Sequence, residues 1–231
     1  YLRHLARHPD TARHLATRLV TAFVSDDVPG ALVDRLARTY LEHDTAIAPV
    51  LTELVGSRAF RASAGAKLRT AEEDVVATYR ALDVEVLPPL ATDTAAVVML
   101  NSTGALGWRF GSSSRPDGAP IVNQRWTSTV RALGSLEMHW NLANRYYPVS
   151  DVGYRDPASW APRFPISYRE LVDHLCRTVL ARRSTDGLLA IASTATGIAL
   201  DTVVTDANHA AVTGIGRTLA ALLDTPEHWY R

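Results

Sequence analysis

The residue types best suited to chemistry lie in one window of the chain, residues 108–141. Asp117 stands in a Pro-Asp-Gly turn, a setting that presents a carboxylate to solvent. His139 carries an imidazole, whose ordinary pKa allows proton transfer near neutral pH. These two side chains are therefore the candidate base and acid of a catalytic site. Their distance in space does not follow from their spacing along the chain.

The same window is rich in aromatic and polar side chains that could bind a ligand. The candidates are Trp108, Arg125, Trp126, Trp140 and Asn141. Aromatic rings beside Asp, Asn and Arg are typical of sites that stack on a sugar ring or grip an extended peptide. The alternative interpretation is structural, because long loops need aromatic anchors to pack onto a helical body. Both interpretations are open at this point.

Two further patterns contain metal-ligand types. His4 and His8 lie four residues apart, so one helix face would present both imidazoles to a metal ion. The proline directly after His8 and the lack of an H-E-x-x-H pattern favour a solvated helix instead. The pair Asp26-Asp27 offers oxygens to Ca²⁺, but a calcium loop needs further ligands at regular spacing, and helix capping explains the pair. We therefore predict neither a metal nor a cofactor.

Composition and motifs exclude several classes of function. The 24 basic residues balance 24 acidic ones, so no overall field attracts nucleic acid or an anionic lipid surface. No apolar run approaches the roughly 18 residues that a membrane-spanning helix needs. Cys176 is the only cysteine, which excludes an internal disulfide. We expect no nucleic acid partner and no membrane span, and the sequence has no G-x-S-x-G elbow or P-loop.

The candidate residues need a scaffold, and the chain predicts a helical one. Apolar residues recur at spacings of three and four along most of its length, which indicates amphipathic helices. The first such stripe consists of Ala12, Leu15, Ala16, Leu19, Val20 and Phe23. Asp10 is placed to cap this helix, and Asp44 is placed to cap a helix that ends at Gly56.

Two capping boxes mark helix starts later in the chain. Thr70 with Glu73, and Ser167 with Glu170, have the S/T-x-x-E spacing in which each residue satisfies the backbone of the other. Helical periodicity also covers residues 127–146. No run of alternating strands is present, so the predicted fold class is all-α.

Two stretches interrupt the helical pattern. Residues 101–126 contain four glycines, two prolines and a run of three serines, and residues 147–166 contain four prolines among aromatic residues. Both are far longer than most connections between helices. We predict an irregular multi-helix bundle, with residues 1–231 as a single helical domain and long irregular loops at about 101–126 and 147–166.

Three blocks of sequence, taken in order, carry a family resemblance. They are His8-Pro9-Asp10-Thr11-Ala12-Arg13 with Asp26-Asp27, then Lys67-Leu68-Arg69-Thr70 leading to Arg80-Ala81-Leu82, then Pro116-Asp117-Gly118 with Trp126 and Trp140-Asn141-Leu142-Ala143. The tail Thr225-Pro226-Glu227-His228 is similar to a closing Ser-Pro-Glu-Phe-type segment. Together these blocks resemble the bacterial family catalogued as domain of unknown function 1800. Ala71 and the pair Gly107-Trp108 depart from the pattern of the family, where proline and Gly-Gln are common.

The resemblance implies a largely helical, often exported bacterial protein, frequently encoded beside a sulfatase-like partner family. It covers the later half or so of the usual family length, so this chain is expected to be the C-terminal part of a longer domain. The family has no agreed catalytic residues, and none are carried over.

Two functional hypotheses follow. The first is a scaffold or partner-binding module that docks onto the missing N-terminal half or onto a sulfatase-like partner protein through its aromatic loops. The alternative is an exported hydrolase or carbohydrate-active protein with a cleft around residues 108–141. The alternative predicts that Asp117, Trp126 and His139 converge in one pocket.

Overall fold

Helices dominate the structure, a computed structural model that describes residues 1–90, 92, 94–109, 111–113 and 118–231. Strands in this part of the chain form only two antiparallel pairs, each two residues long. The predicted all-α class is therefore confirmed. Among the described residues, no helix combines the length and the apolar character needed to cross a bilayer.

The chain divides into two compact units. Unit 1 comprises Tyr1–Leu68, Pro120–Trp126 and Tyr230–Arg231. Unit 2 comprises Arg69–Ala119 and Thr127–Trp229. Whether residues 1–231 behave as a single domain stays a prediction.

Unit 1 is built around a helical hairpin with three shorter helices. Its helices are α1 (Leu2–Ala6), α2 (Pro9–Phe23), α3 (Gly30–Glu42), α4 (Ile47–Gly56) and α5 (Arg58–Ala62), with a 3-10 helix at Asn123–Trp126. The apolar stripe of α2 packs against α3, and Ala12, Ala16 and Val20 are fully buried there. Phe23, at the end of the stripe, remains 42% exposed.

Two predicted helix caps in unit 1 differ from the structure. His8 caps α2, since its Nδ1 accepts a hydrogen bond from the backbone N–H of Asp10 at 3.2 Å. Asp44 adopts a left-handed backbone conformation with φ 49°, and Ala46 is the N-cap of α4. The carboxylate of Asp44 is engaged elsewhere, because it accepts a hydrogen bond from Nε of Arg7 at 2.9 Å.

Unit 2 contains the remaining helices and both strand pairs. The helices are α6 (Ala71–Ala81), α7 (Ala95–Ala105), α8 (Thr129–Ala143), α9 (Tyr168–Val179), α10 (Asp186–Thr196), α11 (Ala210–Thr213), α12 (Ile215–Leu223) and α13 (Pro226–Trp229), with a 3-10 helix at Pro157–Trp160. The strands are β1 (Glu85–Val86), β2 (Val152–Gly153), β3 (Ile166–Ser167) and β4 (Val203–Val204). In register, Glu85 pairs with Gly153 and Ile166 pairs with Val204.

Local sequence signals set the starts of two helices that hold the core of unit 2. Both predicted capping boxes are present, Thr70 with Glu73 at α6 and Ser167 with Glu170 at α9. Helix α12 packs against α8, and Gly216 permits a very close approach there. A Cβ atom at Gly216 would lie 2.5 Å from the carbonyl oxygen of Ala143.

The two stretches predicted as irregular contain short elements. Helix α7 extends to Ala105, inside the first stretch, and the 3-10 helix Asn123–Trp126 closes that stretch. The second stretch contains β2 and the 3-10 helix Pro157–Trp160, and it ends at β3. Glycine and proline limit regular hydrogen bonding, which explains why the elements here are short.

Candidate functional site

A groove in unit 2 is lined by residues of α6, α7 and α8. Its volume is about 230 Å³. Its lining residues are Tyr79, Val98, Asn101, Ser102, Ala105, Leu106, Gly134, Glu137, Met138, Asn141, Leu142 and Tyr147. Cavities of about 150 Å³ accept benzene, and small-molecule sites occupy about 300–1,000 Å³. The groove is therefore the right size for one aromatic group.

Gly134 allows α7 and α8, the two helices that contribute most of the lining residues, to pack closely. A Cβ atom at Gly134 would lie 3.2 Å from the carbonyl oxygen of Ala105, so the absence of a side chain allows α8 to approach the end of α7. Both helices also expose large apolar side chains to solvent, among them Leu100 on α7 and Leu133 and Trp140 on α8. The groove thus belongs to helices that present apolar surface outside the core.

Tyr79, one of the lining residues, carries a buried hydroxyl group. The residue is only 4% exposed, and its hydroxyl has no hydrogen-bond partner among the described residues. Burial raises the pKa of Tyr79 above its ordinary value, and the nearby phenols of Tyr154 and Tyr147 add to the increase. A buried hydroxyl without a partner costs about 1–3 kcal/mol, so a ligand that bonded to it would recover part of that cost.

A second feature of unit 2 is a buried polar cluster centred on Asp74. The Oδ2 atom of Asp74 accepts hydrogen bonds from Arg131 Nη1 at 3.0 Å and from Ser135 Oγ at 2.7 Å. Its Oδ1 atom lies 3.3 Å from Nε2 of His139 and 3.4 Å from Nε2 of His228. Nδ1 of His139 donates to Oδ1 of Asp224 at 2.7 Å, as closely as Ser135 does to Asp74.

Burial and partners oppose each other in setting the pKa values of this cluster. For Asp74, burial alone would raise the pKa, but hydrogen bonds from His139 and His228 and the charge of Arg131 hold it well below its ordinary value. For His139, burial favours the neutral form, yet bonds to Asp224 and Asp74 raise the pKa. For His228, burial outweighs the bond to Asp74, and the pKa is lowered. The two imidazoles therefore differ in proton affinity.

The structure places the predicted catalytic pair as follows. His139 has 0% exposure, and both of its ring nitrogens face carboxylates. In this conformation it has no surface with which to contact a substrate. Asp117 lies outside the described residues. The proposed acid–base pair stays a prediction.

The predicted ligand-binding residues are divided between the units. Asn141 lines the groove of unit 2, and its neighbour Trp140 on α8 is 40% exposed. Trp108, also in unit 2, is half-buried. In unit 1, Arg125 is exposed, whereas Trp126 is buried and its indole N–H donates to the carbonyl oxygen of Pro120 at 3.0 Å. Trp126 thus anchors its own segment, which agrees with the structural interpretation of that residue.

The two metal-ligand patterns seen in the sequence have other roles in unit 1. His4 lies in α1 and His8 is the N-cap of α2, so they do not share one helix, although their rings are 6.2 Å apart. Asp26 pairs with the buried ammonium group of Lys67, and its Oδ2 accepts the N–H of Asn123 at 2.7 Å. These contacts engage both carboxylate oxygens of Asp26.

Sequence reasoning did not identify Asp74, Arg131, Ser135, Asp224 or His228. One signal was available on α8, where Arg131, Ser135 and His139 follow each other at spacings of four. Three polar residues at that spacing form a polar stripe on one helix face. All three lie on the buried face of the helix.

Comparison with known protein families shows to which family the chain belongs. The chain matches the family described as protein of unknown function (DUF1800) over residues 1–230. The chain therefore belongs to this family, as its sequence blocks suggested. Comparison with curated proteins and with solved structures finds no match.

Proposed function

We propose that this protein is a partner-binding module whose groove accepts an aromatic anchor side chain of a partner protein. The observation that carries the proposal is the buried hydroxyl of Tyr79, a lining residue of the groove, which is without a hydrogen-bond partner in the described part of the chain. Tryptophan and tyrosine combine an apolar ring with one hydrogen-bonding group, and they dominate binding hot spots. Their chemistry complements a largely apolar groove whose lining residue Tyr79 carries an unsatisfied hydroxyl.

The surroundings of the groove support binding by a protein segment. A volume of about 230 Å³ holds one side chain and falls short of the usual small-molecule site. The exposed apolar residues Leu100, Leu133 and Trp140 add contact area on the same two helices. Exposed apolar surface beside a groove is typical of protein interaction sites.

The identity of the partner is a further step. An N-terminal half of a longer family domain and a sulfatase-like protein are the partners that the resemblance implies, and both stay predictions. The alternative function, an exported hydrolase or carbohydrate-active protein, also stays a prediction. Its candidate acid His139 has no exposed surface, and its candidate base Asp117 lies outside the described residues.

The test uses N-acetyl-tryptophanamide as a probe, with N-acetyl-phenylalaninamide as the analogue that lacks the indole N–H. We expect both to bind the wild-type chain weakly, as fragments of this size do, in an NMR chemical-shift titration. Ala105→Leu fills the groove from an exposed lining position and should weaken both probes by about tenfold or more. Ala190→Leu, at an exposed alanine of α10, is the matched control and should leave binding unchanged.

A second variant tests the hydrogen bond. Tyr79→Phe removes only the hydroxyl, so it should weaken the tryptophan probe by about 2- to 10-fold and leave the phenylalanine probe unaffected. Equal affinity of Ala105→Leu and wild type for both probes would show that the groove is not the binding site.

A further inference from the structure

We propose that Asp74, His139 and His228 form a Zn²⁺ site inside unit 2. The proposal is independent of the groove, because none of the three residues lines it. One ligand atom from each of the three residues lies within 4.8 Å of the others. They come from α6, α8 and α13, so folding alone brings them together.

The distances from Asp74 to the two imidazoles match a tetrahedral metal. Bonds of about 2.0–2.1 Å from zinc to nitrogen or oxygen place neighbouring tetrahedral ligands about 3.3–3.4 Å apart. Oδ1 of Asp74 lies 3.3 Å from Nε2 of His139 and 3.4 Å from Nε2 of His228. Both distances agree with the edge of a zinc tetrahedron.

The same distances are long for hydrogen bonds that involve charged groups. Such bonds between nitrogen and a carboxylate measure about 2.7–2.9 Å. The cluster is able to form short contacts, since the His139–Asp224 and Ser135–Asp74 contacts are each 2.7 Å. The Arg131–Asp74 contact is intermediate at 3.0 Å, and the two contacts that face the proposed ion are the longest of the four that Asp74 makes here.

The surrounding side chains orient the proposed ligands. Asp224 accepts a hydrogen bond from Nδ1 of His139, an arrangement that leaves Nε2 available to a metal and is common around zinc. Arg131 and Ser135 bind the far oxygen of Asp74, which directs Oδ1 towards the two imidazoles. Two of the three ligands are thus held in place before any ion binds.

The chemistry and burial of the three ligands indicate which ion would bind and what it would do. Two imidazole nitrogens with one carboxylate oxygen bind either Zn²⁺ or non-haem Fe²⁺, and the tetrahedral spacing of Asp74 to both imidazoles favours Zn²⁺. The hydroxyl of Thr78 lies 3.2 Å from Nε2 of His228 and is a further polar group at the edge of the cluster. The three ligand residues are at most 2% exposed, so the ion would tie α6, α8 and α13 together as a structural element.

Metal analysis tests the site directly. The chain is treated with a chelator, dialysed and then supplied with Zn²⁺ alone, and bound zinc is measured by mass spectrometry. We expect one Zn²⁺ per chain. At a hundredfold excess over Kd, Tm should rise by about 5–10 °C. Replacement by Co²⁺ should produce the intense visible absorption of a tetrahedral site.

Variants assign the ligands. His228→Gln and His139→Asn should each abolish tight zinc binding and the rise in Tm, while His174→Gln, at a half-buried histidine of α9, should retain both. Circular dichroism verifies folding, and His228→Gln keeps the test valid if His139→Asn does not fold.

A further control separates this site from the exposed histidines of unit 1. The double variant His4→Gln/His8→Gln should bind zinc as the wild type does. If zinc binding is lost in that double variant, is retained in folded His228→Gln, or is not detected in the wild type, the proposal is wrong. The polar cluster would then be a hydrogen-bonded network without an ion.

Discussion

At the scale of single residues, buried charges in both units are paired. Lys67, the only lysine of the chain, is 2% exposed, and its ammonium group pairs with Asp26 and donates to the carbonyl oxygen of Ile121 at 2.7 Å. Arg131 is equally buried, and it pairs with Asp74. Removal of one partner would leave a buried charge unpaired, which costs about 3–5 kcal/mol, so these contacts stabilise the fold. Asp26 and Lys67 belong to two of the blocks that carry the family resemblance, and in this chain they have a structural role.

A test at this scale concerns Asp173 on α9. Its carboxylate accepts hydrogen bonds from the backbone N–H and hydroxyl of Ser184 and from Arg177, at 2.8–2.9 Å. The bond from the Ser184 backbone, with those from Arg177 and the Ser184 hydroxyl, lowers the pKa of Asp173 from 3.8 to about 2. The charged carboxylate therefore stabilises the folded state above about pH 4, and this contribution is lost as the pH falls through about 2.

We expect Asp173→Asn to lower the free energy of unfolding by about 1–2 kcal/mol at pH 7, since it weakens charge-assisted bonds. The difference from wild type should shrink as the pH falls towards 2. Urea unfolding at a series of pH values measures both effects, with Asp201→Asn at an exposed position as the control. A difference that stays constant with pH would contradict the assigned pKa.

At the scale of elements, helix starts were predictable where a side chain satisfies the backbone locally. The capping boxes at Thr70 and Ser167 are examples, because all their contacts lie within one turn. The expected cap at Asp44 was wrong because Asp44 adopts a left-handed conformation with φ 49°, and Ala46, two residues later, is the N-cap of α4. The carboxylate of Asp44 instead pairs with Arg7, a contact that no local rule predicts.

The close approach of α12 to α8 yields the test at this scale. In an exposed helix Gly→Ala stabilises by up to about 1 kcal/mol. At Gly216 the new Cβ would lie 2.5 Å from the carbonyl oxygen of Ala143, so Gly216→Ala should instead destabilise by a net of about 1–3 kcal/mol. The matched control is Gly187→Ala in α10, where the nearest atom would be 3.7 Å away and stability should be unchanged or slightly increased.

Thermal unfolding distinguishes these outcomes, because 1 kcal/mol corresponds to about 2–4 °C in Tm for a chain of this length. If Gly216→Ala raised Tm as much as Gly187→Ala does, the helices would not approach each other as closely as described.

At the scale of the whole molecule, the numbers of basic and acidic residues are equal. The formal net charge is +0 at pH 7, and the isoelectric point is about 7.3. Molecules without net charge repel each other weakly, which favours self-association near the isoelectric point. The exposed apolar side chains on α7 and α8 add to that tendency.

We expect colloidal stability to be lowest near pH 7.3 and to increase on either side. Light scattering as a function of pH, in a buffer of constant ionic strength, measures this as a minimum in the second virial coefficient. If the apolar face of α8 causes the association, the minimum in the second virial coefficient should disappear in Leu133→Glu. The same minimum should persist in Ala190→Glu, the control on α10. Both variants add the same charge, so they differ only in the surface removed.

The sequence by itself determined the helical class and many of the helix boundaries, because helical periodicity and caps depend on residues three or four positions apart. It also contained the polar spacing of Arg131, Ser135 and His139 on α8. Only the tertiary structure decided which residues meet that stripe. Asp74 lies 65 residues from His139, and Asp224 lies 85 residues from it, and no local spacing rule links positions so distant.

The groove was likewise decided by packing. Asn141 was a candidate from its residue type, whereas Tyr79 and Gly134 became significant only through the approach of α6, α7 and α8. The physical reason is common to both sites. Local backbone hydrogen bonds and side-chain periodicity determine each helix, but the pairing of buried groups depends on how the helices pack, and packing is a property of the folded chain as a whole.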